Sequence, residues 1–572
     1  MSAISSRPVR VRLDVINAIR QYCMEATDIA RGMKVLLLDH ETTPIVSLVF
    51  GQLEILQKEV YLFEKISTQN RESMPYLQAV CLFRPTEENL EHIRQELRNP
   101  KYGSYYIIFT NSVKESYLRK IAEADELELV KEVQEFYADY RAINHDTWTL
   151  NLFGPGVLSP VSVEWPMCLS RSTDGIISML LSLKLCPYIR YQRTSELASQ
   201  LARSVENRVR NSPLFHLGRA KASAPLLLIL DRNEDPITPL LTAWTYQAMC
   251  HQLIGLVNNR LDLSHVEGIQ EELKQVVLSS LQDEFFSEHM YDNLGDLGVV
   301  IKQFVDKFQS ESKIRGRLES IEDIKRFIEQ YPSFRKTAGN VSKHVAIISE
   351  LQHQIQSRRL LDVSPVEQKL ACHEDNNDAV ESVKNILVSG PTPLHPDDAL
   401  RLVLLYTLRY AQNPANQLEL LTKILSRHYK IPTERLILIR LLRQYASQTR
   451  RTASLDLFRN QDWLTSVRGK IKRGLMGVTN VFTQYKPLLE KIISLLRENK
   501  LDPHDYPHLL SEPTKPPPTE ILIFIVGGAT FEEAALIHKI NRESTEFQCL
   551  LGCTGLVRPN QFMNDILQTK NV

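Results

Sequence analysis

Four charged residues, Asp231, Arg232, Glu234 and Asp235, follow directly on the apolar run at 225–230. Such a run reads as a strand buried on both faces. Open α/β sheets place their sites at the carboxyl ends of strands, so two carboxylates beside a guanidinium there could act as a catalytic acid pair. They could equally pair with one another and with backbone groups to lock a domain corner. For Asp231, Arg232 and Asp235 the structural reading is the one expected, because no nucleophile, base or phosphate loop accompanies them. No catalytic residue is assigned anywhere in the chain.

The other reactive residue types give no stronger signal. Gly527-Gly528-Ala529-Thr530 lies between an apolar run and a helical pattern, where free N–H groups could face a phosphate. It lacks the lysine of a phosphate loop and reads as a tight turn. His504-x3-His508 has zinc-like spacing, but Pro503 and Pro507 break the helix that would align the pair. The eight cysteines are scattered, and Cys549-x3-Cys553 has no second pair. Buried thiols in a reducing compartment are expected. Asn340-Val-Ser342 fits a glycosylation pattern, which carries little weight in a cytosolic chain. The strand-to-helix turns lack G-x-G-x-x-G and G-x4-G-K-[ST], and the chain has no G-x-S-x-G. Neither a metal nor a cofactor is expected. A phosphate-ligand-binding α/β enzyme using the turns near Asp231 and Gly527 stays as the rival reading.

The elements that must position these residues fall into three styles. The chain has 572 residues, 43% apolar and 24% charged, which suits two to four globular domains. Lys plus Arg equals Asp plus Glu, 68 each, so net charge offers nothing to nucleic acid. No apolar run approaches the roughly 18 residues that span a bilayer. The N-terminus is basic without a signal-peptide core, and Leu13, Ile16 and Ile19 suit a short packed helix. A cytosolic protein is expected, reaching membranes only through partners.

Residues 33–143 alternate strands (34–39, 77–83, 105–109) with helices (to about 97, then 115–124 and 127–137), which predicts a parallel α/β domain. Helices are expected at 173–185 and 194–209. After the strand at 225, Thr238-Pro239 should open a helix carrying Leu240, Leu241, Trp244, Ala248 and Met249. From 251 to 480 helical patterns dominate: 271–281, 294–308, 320–329, 341–361, 396–411 and 418–426. A weak capping pattern marks 320–323, and the polar stretch 447–454 could be a loop. Past the stiff linker 513–518, strands return at 521–526 and 547–551 around a helix at 531–540. Two strands and a helix cannot bury themselves alone. They should join the sheet holding 225–230, making a discontinuous domain interrupted by a helical insertion.

Two surfaces stand out. Leu118, Ile121 and Ala122 share a helix face, and the next helix offers Val130, Val133, Glu135 and Phe136. These are either core or an apolar groove for a peptide. At 331–360, Val341, Val345, Ile348, Leu351 and Ile355 follow helical spacing, with Pro332 and Gly339 just before them. This is either a hairpin packed on its own domain or an exposed one that receives a partner helix.

The stretch LLLILDRNEDPITPLLTAWTYQAM at 226, with IFIVGGATFEEA at 523, closely resembles the signature of the SM (Sec/Munc) family of SNARE regulators. Further similar segments are MKVLLLDHETTPIVSL at 33, LFRPTEENL at 82, ELRNPKYGSY at 96, YPSFRKTAGNVSKHVAIISEL at 331 and VTNVFTQYKPLL at 478, so the resemblance covers nearly the whole chain except 390–475. ELRNPKYG and NVFTQYKPLL look most like the endosomal and trans-Golgi branch. The resemblance implies a three-domain arch of α/β plus helical class: 1–143 as domain 1, 144–250 with 478–572 as domain 2, and 251–477 as a mostly helical domain 3 with its hairpin near 331–361. It implies a non-enzymatic SNARE chaperone that clasps a syntaxin-like SNARE and promotes SNARE assembly and vesicle fusion in endosomal/trans-Golgi and vacuolar transport. The implied state is a monomer in the cytoplasm, peripherally associated with endosomal and trans-Golgi membranes; an SM protein of another membrane step is the alternative within the family. The expected partners are a syntaxin-like SNARE, its N-terminal peptide, a vesicle SNARE and the assembled SNARE bundle, with no nucleic acid. By position, the peptide groove falls on Leu118, Ile121, Ala122 and Val133, with Glu135 for a basic peptide residue. The domain 1 cleft falls on Asp39 and Glu64, and the vesicle-SNARE hairpin on Pro332, Phe334, Lys343 and Val345. Pro44 stands where some members carry a cleft arginine, and Cys553 where relatives tend to show glycine.

Overall fold

The computed structural model describes residues 13–215, 224–312, 341–372, 376–390, 392–450, 483–510 and 518–571. The expected helix at 320–329 and its capping pattern, Pro332, Phe334, Gly339, Asn340, residues 451–454 and all but the last residue of the linker lie outside the described residues.

Two parallel sheets organise the molecule. The first has the order β2-β1-β3-β4-β5, built from β1 (Lys34–Leu38), β2 (Val60–Lys65), β3 (Met74–Phe83), β4 (Tyr102–Phe109) and β5 (Val130–Glu135). The second has the order β6-β7-β13-β12-β9-β8. It comprises β6 (Arg141–Asn144), β7 (Thr147–Thr149), β8 (Tyr188–Tyr191), β9 (Leu226–Asp231), β12 (Glu520–Val526) and β13 (Gln548–Cys553). Only β6 and β7 in it pair antiparallel. A two-stranded ribbon, β10 (Arg260–Asp262) with β11 (Gln275–Val277), stands apart.

The expectation for the C-terminal stretch is met. β12 lies between β9 and β13, with Ile521 opposite Leu226 and Val526 opposite Asp231. All six residues of β9 are buried. A strand covered on both faces can be apolar throughout, which is what the run at 225–230 encodes.

Helices begin where the sequence signals them. Thr86 Oγ1 accepts from Asn89 N–H at 3.2 Å and starts Glu87–Arg98, with Glu87 and Glu88 at the positive end and Arg98 at the other. Ser195 caps Glu196–Asn211, whose buried Leu197, Leu201, Val205 and Val209 recur at helical spacing. Thr530 and Glu533 form a reciprocal capping box on Phe531–Glu543.

Four expectations need correction. Residues 127–137 form no helix. Val130–Glu135 is strand β5, because the open edge of β4 needs backbone partners: Ile107 faces Val133, and Tyr105 N–H donates to Leu129 O. Residues 271–281 hold a single tight turn, Glu271–Leu273, and then β11, whose β-branched Val276 and Val277 pair with Leu261 and Arg260. The helix expected from Thr238 stops after Leu240, since Leu241 is extended at ψ 153°, and helix resumes only at Tyr246–Met249. The run at 341–361 is two helices, Val341–Ser357 and Leu360–Cys372, split at Arg359 with φ 55°. Sequence reading also missed β2, β6, β7 and β8, and it started Trp165–Ser182 eight residues late, at Thr173.

Candidate functional site

At the corner after β9, Asp231, Arg232 and Asp235 are fully engaged. Asp231 Oδ1 accepts from Asn233 N–H at 3.0 Å and Oδ2 from Ser195 Oγ at 2.6 Å. Burial pushes its carboxyl up to about 6 against those bonds. Arg232 Nη2 pairs with Glu533 Oε1 at 2.7 Å, Nε donates to Gly528 O at 3.0 Å, and Nη1 donates to Asp235 O at 3.1 Å. Burial alone would lower the guanidinium, but Glu533 and Asp235 raise it on balance. Asp235 accepts from the N–H groups of Ile237, Thr238 and Leu488 and from the hydroxyls of Thr238 and Tyr485. Every side-chain oxygen of the two aspartates and every nitrogen of Arg232 thus has a partner inside the protein. An acid pair needs a free oxygen facing a substrate, and this arrangement presents none. Glu533 and Tyr485 complete the corner, and sequence reading missed both. The T-x-x-E spacing of Thr530 and Glu533 was a readable signal for the first. Tyr485 had no local signal.

The other candidates for chemistry stay apart. Gly527 and Gly528 take φ 84° and 98°, the left-handed region where glycine is at ease, and form the tight turn into Thr530. His508 stacks on Tyr188 with ring centroids 5.7 Å apart. Among the described residues no cluster has the composition and spacing to hold a metal ion. Cys549 and Cys553 are both free and buried in β13. No described helix is long and apolar enough to cross a membrane.

The expected groove takes a different form. Glu115–Ala124 turns Tyr117, Ile121 and Ala124 into the core, so Ile121 is no groove wall. Leu118, 37% exposed, and the exposed Ala122 lie one turn apart on its flank. Val133 and Glu135 come from strand β5, where they pair with Ile107 and Phe109. Paired residues of neighbouring strands share a face, so Val133 and Glu135 lie on the face that this helix covers, at the free edge of the sheet. Val133 is 38% exposed. The candidate surface is a helix flank beside an edge strand, with Leu118, Ala122 and Val133 as apolar contacts. Glu135 sits at its rim, accepting from Val113 N–H at 2.7 Å.

The cleft residues are separated. Asp39 is buried at the end of β1, accepting from Thr42 and Glu41 N–H through Oδ1 and from Arg84 N–H and Asn89 Nδ2 through Oδ2. A cavity of about 200 Å³ opens beside it, lined by Glu41, Arg84, Asn89 and His92 among others. It lies outside the carboxyl ends of β1 and β3, where the strand order reverses. Glu64 does not line this cavity; it sits on the edge strand β2 and accepts from the Tyr102 hydroxyl. Pro44 is buried within Thr42–Val49.

On the hairpin, only Lys343 and Val345 are described, and neither is free for a partner. Lys343 Nζ pairs with Asp283 Oδ2 at 2.6 Å and donates to Val277 O at 2.9 Å. Val345 is 2% exposed and belongs to the core with Ile348, Leu351 and Ile355. Between them His344, fully buried, bridges the Tyr246 hydroxyl at 2.8 Å and Asp283 at 3.0 Å. Burial draws the Asp283 carboxyl upward, but His344 and Lys343 outweigh it and hold it down to about 2.

Comparison with known proteins gives a consistent result. The Sec1 family model matches residues 34–565. Vacuolar protein sorting-associated protein 45 of Mus musculus is 43% identical over 564 residues, covering 97% of this chain and 96% of that protein. The protein of the same name from Dictyostelium discoideum is 42% identical over 562 residues, covering 98% and 97%. Among solved structures, the SM protein Vps45 in complex with the Qa SNARE Tlg2 aligns with a TM-score of 0.85 at 40% identity, over 97% of each chain.

Proposed function

Because the chain belongs to the Sec1 family, we propose that it is a SNARE-binding chaperone that clasps a syntaxin-like Qa SNARE and promotes SNARE assembly in vesicle transport. The observation that carries this reading is the match, along nearly the whole chain at 40% identity, to a protein solved with a Qa SNARE bound. An activity resting on one domain would need only a local match. The corner supports a non-enzymatic role, since the charged atoms of Asp231, Arg232 and Asp235 are spent on holding the fold.

The finer assignments follow from the same reading. The N-terminal peptide of the Qa SNARE docks on Leu118, Ala122 and Val133, with Glu135 meeting a basic peptide residue. The protein works at endosomal and trans-Golgi membranes, which it reaches through its partners. A vesicle SNARE and the assembled bundle bind along the helical region.

The test is direct binding. The full chain is titrated with the cytoplasmic parts of a panel of Qa SNAREs, with ATP, GTP and simple phosphoesters as controls. Tight binding of one Qa SNARE and none of the nucleotides is expected. Micromolar binding of a nucleotide with no Qa SNARE bound overturns the proposal in favour of the enzyme reading.

A further inference from the structure

One titratable group at the corner lacks the pairing that its neighbours have. Glu234 is 7% exposed, on the single turn Arg232–Glu234. Its Oε1 accepts from the Tyr506 hydroxyl, whereas its buried Oε2 has no hydrogen-bond partner. The groups facing it are acids or phenols: Asp231, Asp235, Asp505 and Tyr506. The helix Leu438–Arg450 packs on the same turn, bringing Tyr445 beside Asp231, while Arg440 and Arg443 on that helix are exposed. The nearby cations are directed elsewhere. Arg232 pairs with Glu533, Arg190 donates to the carbonyls of Tyr506 and Leu501, and His504 meets Asp505 at 3.2 Å.

A buried carboxylate among three others, with no cation on either oxygen, bears a penalty of desolvation and like-charge repulsion that the single bond from Tyr506 offsets only in part. Protonation removes both. We infer that Glu234 carries a proton in the folded chain at neutral pH, and that the corner is therefore a proton-linked joint between the second sheet and the segments packed on it. Those segments enter through tyrosines. Tyr485 reaches Asp235, and Tyr506 reaches Glu234 from the loop whose backbone also bonds β8. With the proton in place, Glu234 adds no charge to Asp231, Asp235 and Asp505. Above neutrality a further buried negative charge enters; the bond from Tyr506 offsets part of its cost, and the rest is lost from the stability of the joint.

Burial pushes the Glu234 carboxyl up to about 8; the Tyr506 bond opposes this, and Asp231, Asp235 and Asp505 add to it. The folded value lies above the unfolded one of 4.5. The stabilisation is therefore complete below 4.5 and is lost as pH rises through about 8.

The experiment uses the full chain and its Glu234→Gln variant. Calorimetric unfolding at pH 7 in two buffers of different ionisation enthalpy counts the protons released. The wild type should release about one more proton than the variant, and its melting temperature should fall more steeply between pH 6.5 and 8.5. Equal proton release and equal slopes overturn the inference. If Glu234→Gln does not fold, the same titration is read on Tyr506→Phe. Removing the donor to the charged form should move the decline to higher pH, and an unmoved midpoint overturns the inference.

Discussion

Tyr485 donates its hydroxyl to Asp235 Oδ1 at 3.1 Å, across 250 residues of sequence. Its own N–H donates to Gln368 Oε1 at 2.7 Å, and Leu488 N–H reaches Asp235 Oδ2 at 3.2 Å. One carboxylate thus fastens its own turn and a strap arriving from the far end of the helical region. A second tie lies beside it: Thr242 N–H donates to Glu367 at 2.8 Å, and Glu367 pairs with the buried Arg401 at 2.7 Å.

Replacing Asp235 by Ala leaves Thr238, Tyr485 and three backbone N–H groups without their acceptor. The loss should be about 3–5 kcal/mol, the range for breaking a buried charge network. Thermal melting and Qa SNARE binding should fall together. A variant that melts like the wild type yet loses binding would instead mark Asp235 as a direct contact.

Leu118→Arg tests the flank beside β5. Leu118 is 37% exposed, so the arginine can reach water and the variant should melt near the wild type. Binding of the Qa SNARE N-terminal peptide should drop by the worth of one buried apolar anchor, about 1.5–3 kcal/mol. Ile121→Arg is the contrast. It buries a charge in the core that packs on the first sheet and should unfold that part of the chain. Normal peptide affinity in folded Leu118→Arg removes this residue from the site.

Val345→Arg should act on stability before it acts on any partner. The side chain is 2% exposed, so the change costs several kcal/mol. Melting measured before any SNARE assay decides the matter. Unchanged melting with lost vesicle-SNARE binding would return Val345 to an exposed partner face.

Asp283 sets an acid limb. Its folded value, about 2, lies below its ordinary 3.8. The stabilisation it gives is present above 3.8 and lost as pH falls toward 2. Asp283→Asn should lower the melting temperature at neutral pH and flatten the decline between pH 4 and 2. An acid limb identical to that of the wild type assigns the decline to other carboxylates.

The parts legible in the sequence were those specified by neighbours along the chain. The run at 225–230 is apolar throughout because β9 is covered on both faces, and residues 521–526 read the same way because β12 is its neighbour. Thr86 announced its helix because a cap acts within three residues. The discontinuous sheet followed from a count of elements too few to bury themselves. The family signature was likewise continuous in sequence.

What tertiary structure decided was which surfaces those elements share. Residues 127–137 carry apolar groups at spacings that suit a helix, yet they form β5 because the edge of β4 offered unpaired backbone. Leu118 and Val345 both sit on amphipathic helices, and nothing local distinguishes them. One lies on a helix flank, and the other is buried in the core, as are Ile348 and Leu351 of its helix. The burial of Glu234 among Asp231, Asp235 and Asp505 depends on Tyr506 and Asp505 arriving from more than 250 residues away. Desolvation and charge pairing belong to the assembled environment of a side chain, and only the folded chain supplies that environment.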